Sequence, residues 1–342
     1  GVRSEEEIPS LWQAYEGYFP IGAAVRYQSL NSHRDLLVKH FNSITAENEM
    51  KFASLQPAEG TFAFFRADEI VEFAKKNKML VRGHTLVWHR QYPGWLFRDG
   101  AGKASGELVL KRLENHINTV LSRYKDDIYC WDVVNEAVSD SMSEYLRKDS
   151  PWYQVLGEDY IAEAFRMAHK ADPDAKLFYN DYSATDPNKM VKICFLLEEL
   201  LAQGVPVHGM GIQGHWDIYS PSATQIETAI RRYAALGLEV QITELDISVF
   251  RWNDKRKFIT DPEEYTKRLE LQAKKYDEIF RIFREYRDVV TGVTFWGVAD
   301  DLTWKDQEPV RGRKDFPLLF DDVEHQPKEA FWRIVNFSRA RA

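Results

Sequence analysis

Two glutamates occupy comparable places in the chain. Glu136 closes the run Trp131-Asp132-Val133-Val134-Asn135-Glu136, and Glu244 sits inside Ile242-Thr243-Glu244-Leu245-Asp246. Each lies at the end of a short apolar, β-branched run, where a carboxylate must be solvated, paired or put to use. One such residue reads as a structural ion pair as readily as a catalytic group. Two, brought to one face from different strands, suit acid/base and nucleophilic work on the same bond. A strand period of two puts Glu244 and Asp246 on one face, and likewise Gln213 and His215 at the end of the preceding run. A His between two acids turns one ring N–H toward each, which fixes the orientation and charge of Glu244. The bland reading of His215, a polar residue satisfied at a loop start, leaves the other three unexplained.

Other polar and aromatic residues gather at the ends of apolar runs. Gly83-His84-Thr85-Leu86-Val87-Trp88-His89 is followed by Gln91, and Glu47-Asn48-Glu49-Met50-Lys51 forms a dense polar group that a surface charge run would also explain. His84 and His89 lack the spacing of a metal-binding pair, so no metal and no cofactor are expected, and hydroxyl-rich ligands explain these residues better. Trp88, Trp216, Trp296 and Trp304 fall at or just after strand ends. An indole offers a flat apolar face to the C–H side of a pyranose while its N–H finds a polar partner, so these four read as sugar platforms. Trp12, Trp152 and Trp332 read as packing residues.

These residues must be positioned by a scaffold. Runs at 19–25, 43–48, 80–86, 128–135, 176–181, 209–215, 239–246 and 292–298 have strand character. Amphipathic stretches at 33–40, 66–77, 107–124, 158–171, 187–203, 222–236 and 262–286 separate them, and 327–339 follows the last. Pro187, Pro262 and Pro327 sit where a first helical turn tolerates proline, and Gly204 and Gly237 where helices stop. Strand and helix alternating eight times, with no Pro/Gly/Ser-rich linker, predict a single-domain α/β protein over residues 1–342, a (β/α)8 TIM barrel. A doubly wound sheet is the rival, but Gly22-Ala23-Ala24-Val25 is no phosphate-binding turn. In a barrel, function collects at the C-terminal strand ends, where both glutamates fall.

Composition excludes several classes. The 342 residues are 44% hydrophobic and 29% charged with a net charge of −8, so no basic surface invites nucleic acid. No apolar run reaches the ~18 residues of a membrane span, and no leader pattern opens the chain. A start at Gly1 rather than Met leaves a removed leader or trimmed ends open. Cys130 and Cys194 read as buried thiols. Aromatic residues make up 13%, most of them core by expectation, and ten Trp raise the question of which face a ligand.

From about Pro20 to Trp332 the chain resembles glycoside hydrolase family 10, the xylanases. Six motifs carry the resemblance, in the family's order: Glu47-Asn48-x-Met50-Lys51, the run from Gly83 to His89, the run from Trp131 to Glu136, Asn180-Asp181-Tyr182, Gly211-x-Gln213-x-His215, and the run from Ile242 to Asp246. The resemblance implies a retaining endo-β-1,4-xylanase with Glu136 as acid/base and Glu244 as nucleophile. It matches Asn135 to the contact with the 2-hydroxyl of the sugar being cut, and His215 and Asp246 to the network behind the nucleophile. His84, Trp88 and Gln213 match the subsite of the reacting sugar, Glu47, Asn48, Lys51 and Gln91 the next glycone position, and Trp296 and Trp304 an aromatic lid. Xylan or xylo-oligosaccharide is the implied partner; the oligomeric state is open. Phe52 departs from the Trp common after Met-Lys, and a Cys pair found in many secreted members is absent. The segment from Pro309 to Arg313 and the lack of an appended binding module resemble the family's compact intracellular members. They favour a cytoplasmic location and short substrates, with a secreted form that has lost its leader as the alternative. Cellulose or mixed-linkage glucan is the alternative substrate, and a non-catalytic sugar-binding or inhibitor barrel the alternative from another class.

Overall fold

The computed structural model describes residues 7–338. Within them, eight parallel strands close on themselves: β1 (Ile21–Val25), β2 (Ser43–Ala46), β3 (Leu80–Trp88), β4 (Cys130–Asn135), β5 (Lys176–Asp181), β6 (Gly209–Ile212), β7 (Glu239–Ser248) and β8 (Val290–Phe295). Neighbours in sequence are neighbours in the sheet, and β8 pairs with both β7 and β1, so no edge is left unpaired. Every residue of β1, β2, β4 and β6 is buried, as expected of strands covered by helices outside and side chains inside. This is the expected (β/α)8 barrel.

The outer ring is α1 (Arg34–His40), α2 (Phe65–Lys76), α3 (Gly106–Arg123), α4 (Asp159–Ala171), α5 (Pro187–Ala202), α6 (Ala223–Ala234), α7 (Pro262–Glu285) and α8 (Glu329–Val335). Their starts have local causes. The Ser105 hydroxyl accepts from the Leu108 amide, Asp186 from Lys189, and Ser222 and Gln225 form a reciprocal capping box. Pro187 and Pro262 occupy first turns as expected, whereas Pro327 does not. It forms an antiparallel bridge with Phe320, which keeps the chain extended until Lys328, so α8 begins at Glu329. The last residue of the expected 327–339 helix, Arg339, lies outside the described residues. Each helix buries one stripe against the barrel. In α4 this stripe is Ile161, Ala164, Phe165 and Ala168, and a fully buried side chain of the size of Ile161 or Phe165 contributes about 1.5–3 kcal/mol. Cys130 and Cys194 are free and buried. Among the described residues no helix is long and apolar enough to cross a membrane.

One strand departs from expectation in a way that matters below. The run 209–215 is broken: β6 stops at Ile212, Gly214 takes a left-handed φ of 81°, and pairing resumes at His215–Asp217 against Asp246, Ile247 and Ser248. Only glycine takes that conformation without strain.

Candidate active site

The floor of the barrel is ionic. Arg82 and His84, two apart on β3, share its inward face, and the register puts Asp132 of β4 opposite His84. Arg82 makes two hydrogen bonds to the Asp132 carboxylate (2.8 and 3.1 Å) and a third across the barrel to Gln241 of β7 (2.7 Å). Asp132 also holds His84 Nδ1 at 2.8 Å, so His84 turns its other nitrogen toward Glu244, 3.9 Å away. Burial raises the Asp132 pKa, but the Arg82 and His84 charges prevail and hold it at about 2.

Above this floor Glu244 is bound from two sides. His215 Nε2 lies 2.8 Å from Oε1, and Asn180 Nδ2 donates to Oε2 at 2.9 Å. His215 Nδ1 meets Asp246 at 2.9 Å, and Asp246 also accepts from the Trp304 indole at 2.8 Å. Both imidazole nitrogens face carboxylates, which only accept, so both must carry hydrogen and the ring is an imidazolium. Burial opposes that charge, but Asp246 and Glu244 push the pKa up to about 9. Burial likewise opposes the charge on Glu244, yet the His215 hydrogen bond, the nearby His84 and the Asn180 amide lower its pKa overall. Glu244 is thus kept ionised although only 6% exposed.

This arrangement carries a stability consequence. The folded pKa of His215 exceeds its ordinary 6.5. Its contribution is therefore complete below pH 6.5 and is lost as the pH rises through about 9. Urea unfolding of the wild type and His215→Asn should differ by on the order of 3 kcal/mol at about pH 6 and by less at about pH 10. An equal gap at both values would contradict the imidazolium.

Glu136 follows β4 with a left-handed φ of 60°, held by its amide on the Asn180 carbonyl and by Arg147 on its own carbonyl. Its carboxylate accepts from the Trp88 indole at 3.0 Å and from Gln213 at 2.9 Å. Gln213 therefore does not join the His215 group, as a straight strand would have it. The Gly214 break turns it to Glu136 and to Asn135, 3.2 Å away. Asn135 also accepts from Asn180, so Asn180 touches both halves of the site. Asn180 needs the room that Gly211 leaves, since a Cβ there would lie 2.4 Å from the Asn180 oxygen.

Both glutamates open into one cleft of about 860 Å³. Glu47, Asn48, Lys51, His84, Trp88, Asn135, Gln213, His215, Trp296 and Trp304 line it too. Lys51 donates to Asn48 at 3.1 Å with its ammonium 4.9 Å from the Trp88 ring, and Arg26 holds Glu47 at 3.0 Å. Trp296 stands edge-on to His84, and Trp304 edge-on to His215. His89 lines the cleft with an unpartnered Nδ1. Gln91 lies in an adjoining crevice with Lys51, Thr85 and Trp88, outside the lining of the cleft itself.

Trp216 is not a platform. It alternates with His215 and Asp217, so it faces outward, packs on Phe283 of α7 and belongs to the core. Trp152 is buried and Trp12 and Trp332 pack against the core, as expected. Phe52 is also turned inward, stacked on His116 at 3.6 Å. Sequence reasoning missed Asn180, although its motif was legible, and Trp252. The latter lines the cleft from the loop after β7, 61% exposed, and no strand end marks it.

A model of glycosyl hydrolase family 10 matches residues 10–337. The chain is 54% identical over 331 residues to endo-1,4-β-xylanase B of Paenibacillus barcinonensis, covering 96% of this chain and 98% of that protein. It is 51% identical over 332 residues to an endo-1,4-β-xylanase of Geobacillus stearothermophilus, covering 96% and 98%. Its fold matches the crystal structure of a Paenibacillus barcinonensis xylanase complexed with a conduramine derivative, with a TM-score of 0.93 and 54% identity over 96% of this chain and 98% of that one.

Proposed function

Because the chain belongs to glycosyl hydrolase family 10, we propose that it is a retaining endo-β-1,4-xylanase whose barrel is the catalytic domain, with Glu244 as nucleophile and Glu136 as acid/base. One observation supports this division of labour above all: His215 and Asn180 hold Glu244 as an anion, while the Glu136 carboxylate accepts from neutral donors, Trp88, Gln213 and Asn135. Cleavage passes through an oxocarbenium-like transition state. Glu244 attacks the anomeric carbon as Glu136 gives its proton to the departing oxygen, leaving a glycosyl ester on Glu244. Glu136, now a carboxylate, takes a proton from water as it attacks the ester from the opened side, and the configuration is restored. Asn135 is placed to bind the 2-hydroxyl of the reacting sugar. His84, Trp88 and Gln213 frame that sugar, Trp296 and Trp304 cover it, and Glu47, Asn48 and Lys51 serve the next one.

Hydrolysis followed by proton NMR should show the β-anomer first, with mutarotation to the α-anomer afterwards. Reducing sugar should be released readily from xylan and poorly from carboxymethylcellulose. The reverse preference would move the assignment to a glucan-cutting barrel, and no release from either would favour a sugar-binding one.

A further inference from the structure

Away from both glutamates, three residues distant in sequence converge: His33, Asp301 and His325, whose donor atoms all lie within 4.8 Å of one another. His33 precedes α1, Asp301 lies in the loop after β8, and His325 lies in the chain leading to α8. His33 Nε2 is 2.9 and 3.1 Å from the two Asp301 oxygens, and His325 Nε2 is 3.0 Å from one of them. The two rings stack at 4.7 Å, which fixes both imidazoles with the same nitrogen aimed at one carboxylate.

The neighbouring serine engages the other nitrogen of His33. Ser32 Oγ is 3.0 Å from the Gln28 carbonyl and 2.6 Å from His33 Nδ1. Nδ1 is thus held by the serine hydroxyl, and Nε2 is the nitrogen turned to Asp301. An imidazole whose outer nitrogen is held by a hydrogen-bonded partner is how a metal-binding His is oriented.

We propose that His33, Asp301 and His325 form a binding site for a divalent transition cation of the zinc class. Two imidazoles and one carboxylate, with an open fourth position for water, suit zinc. A cavity of about 350 Å³ lined by His33 and His325 gives water access. Tetrahedral zinc with bonds of about 2.0–2.1 Å spreads its donors to roughly 3.3 Å, so the His–Asp distances open by a few tenths of an ångström while the two nitrogens close in. The bound ion braces the β8 loop, which carries Trp304, against the start of α1 and the approach to α8. The site includes neither glutamate and does not depend on the proposed activity.

Calorimetric titration of the chelator-treated, full-length protein with zinc chloride should show one ion bound per chain and a melting temperature raised by a few degrees, with magnesium chloride giving neither. Asp301→Asn and His325→Asn should each weaken zinc binding at least about tenfold, and Ser32→Ala by about tenfold with all three ligands intact. Asn tolerates the left-handed φ of 57° at position 325, and Ser32 lies at the surface, so the metal-free variants should melt near the wild type. Absence of one-to-one zinc uptake by the wild type overturns the site. So does uptake that all three variants retain in full.

Discussion

Glu244→Gln should abolish turnover on xylan, with kcat reduced on the order of 10⁴-fold or more. The substitution is nearly isosteric, so the barrel should fold and substrate should still enter. It removes the nucleophilic oxygen's charge, and it also puts an amide where two hydrogen-bond donors converge. His215 and Asn180 both point hydrogen at this side chain. A glutamine can accept from one of them, but its own NH2 must then face the other. The variant thus loses covalent catalysis and carries a donor–donor conflict at the anomeric carbon. Steady-state kinetics on xylan, with the melting temperature as control for folding, provide the check. A variant keeping more than about one per cent of wild-type kcat would show that Glu244 is not the nucleophile.

Glu136→Ala should behave differently. General acid–base assistance is worth about 10²–10⁴-fold, and the need for it depends on the leaving group. On xylan, whose leaving group is a poorly acidic sugar hydroxyl, activity should fall through that whole range. On aryl xylosides with acidic phenols the first step needs no proton, so the glycosyl ester should form and accumulate. Azide, which attacks without base assistance, should then speed turnover and yield the β-xylosyl azide. An α-azide would mean that one displacement replaces two, and equal losses on xylan and on activated aryl xylosides would assign Glu136 another role.

The alternation of strand and helix was legible because the strands are continuous apolar runs and the helix ends carry their own signals, among them Pro187, Pro262, Ser222 and the glycines after α5 and α6. The site was legible where it obeys the strand period, as in the Glu244, Asp246 and His215 group. It was not legible where the strands break that period. Thr243 and Glu244 are adjacent, yet both reach Asn180, and the pairing of β7 with β8 shifts register between Ile242 and Leu245. Such an irregularity re-aims a side chain in a way that alternation cannot anticipate. The Gly214 break parts Gln213 from His215 for a similar reason. Trp216 was misjudged because its nearness to a strand end outweighed its parity, and the His33, Asp301 and His325 group is invisible to spacing rules because its members meet only in the folded chain.

The Arg82 and Asp132 pair beneath His84, each side chain about 1% exposed, bears on how this barrel responds to heat. Withdrawing both charges from water is expensive near room temperature, and such a pair adds little net stability there. Hydration of ions becomes less favourable on warming, so that penalty shrinks while the pair's attraction persists. The floor under the catalytic groups should therefore tighten, relative to the rest of the fold, as temperature climbs. Its contribution belongs to the hot limb of the stability curve, and a calorimetric comparison with an apolar replacement of the pair should show the native chain losing ground when cool and recovering it near its midpoint.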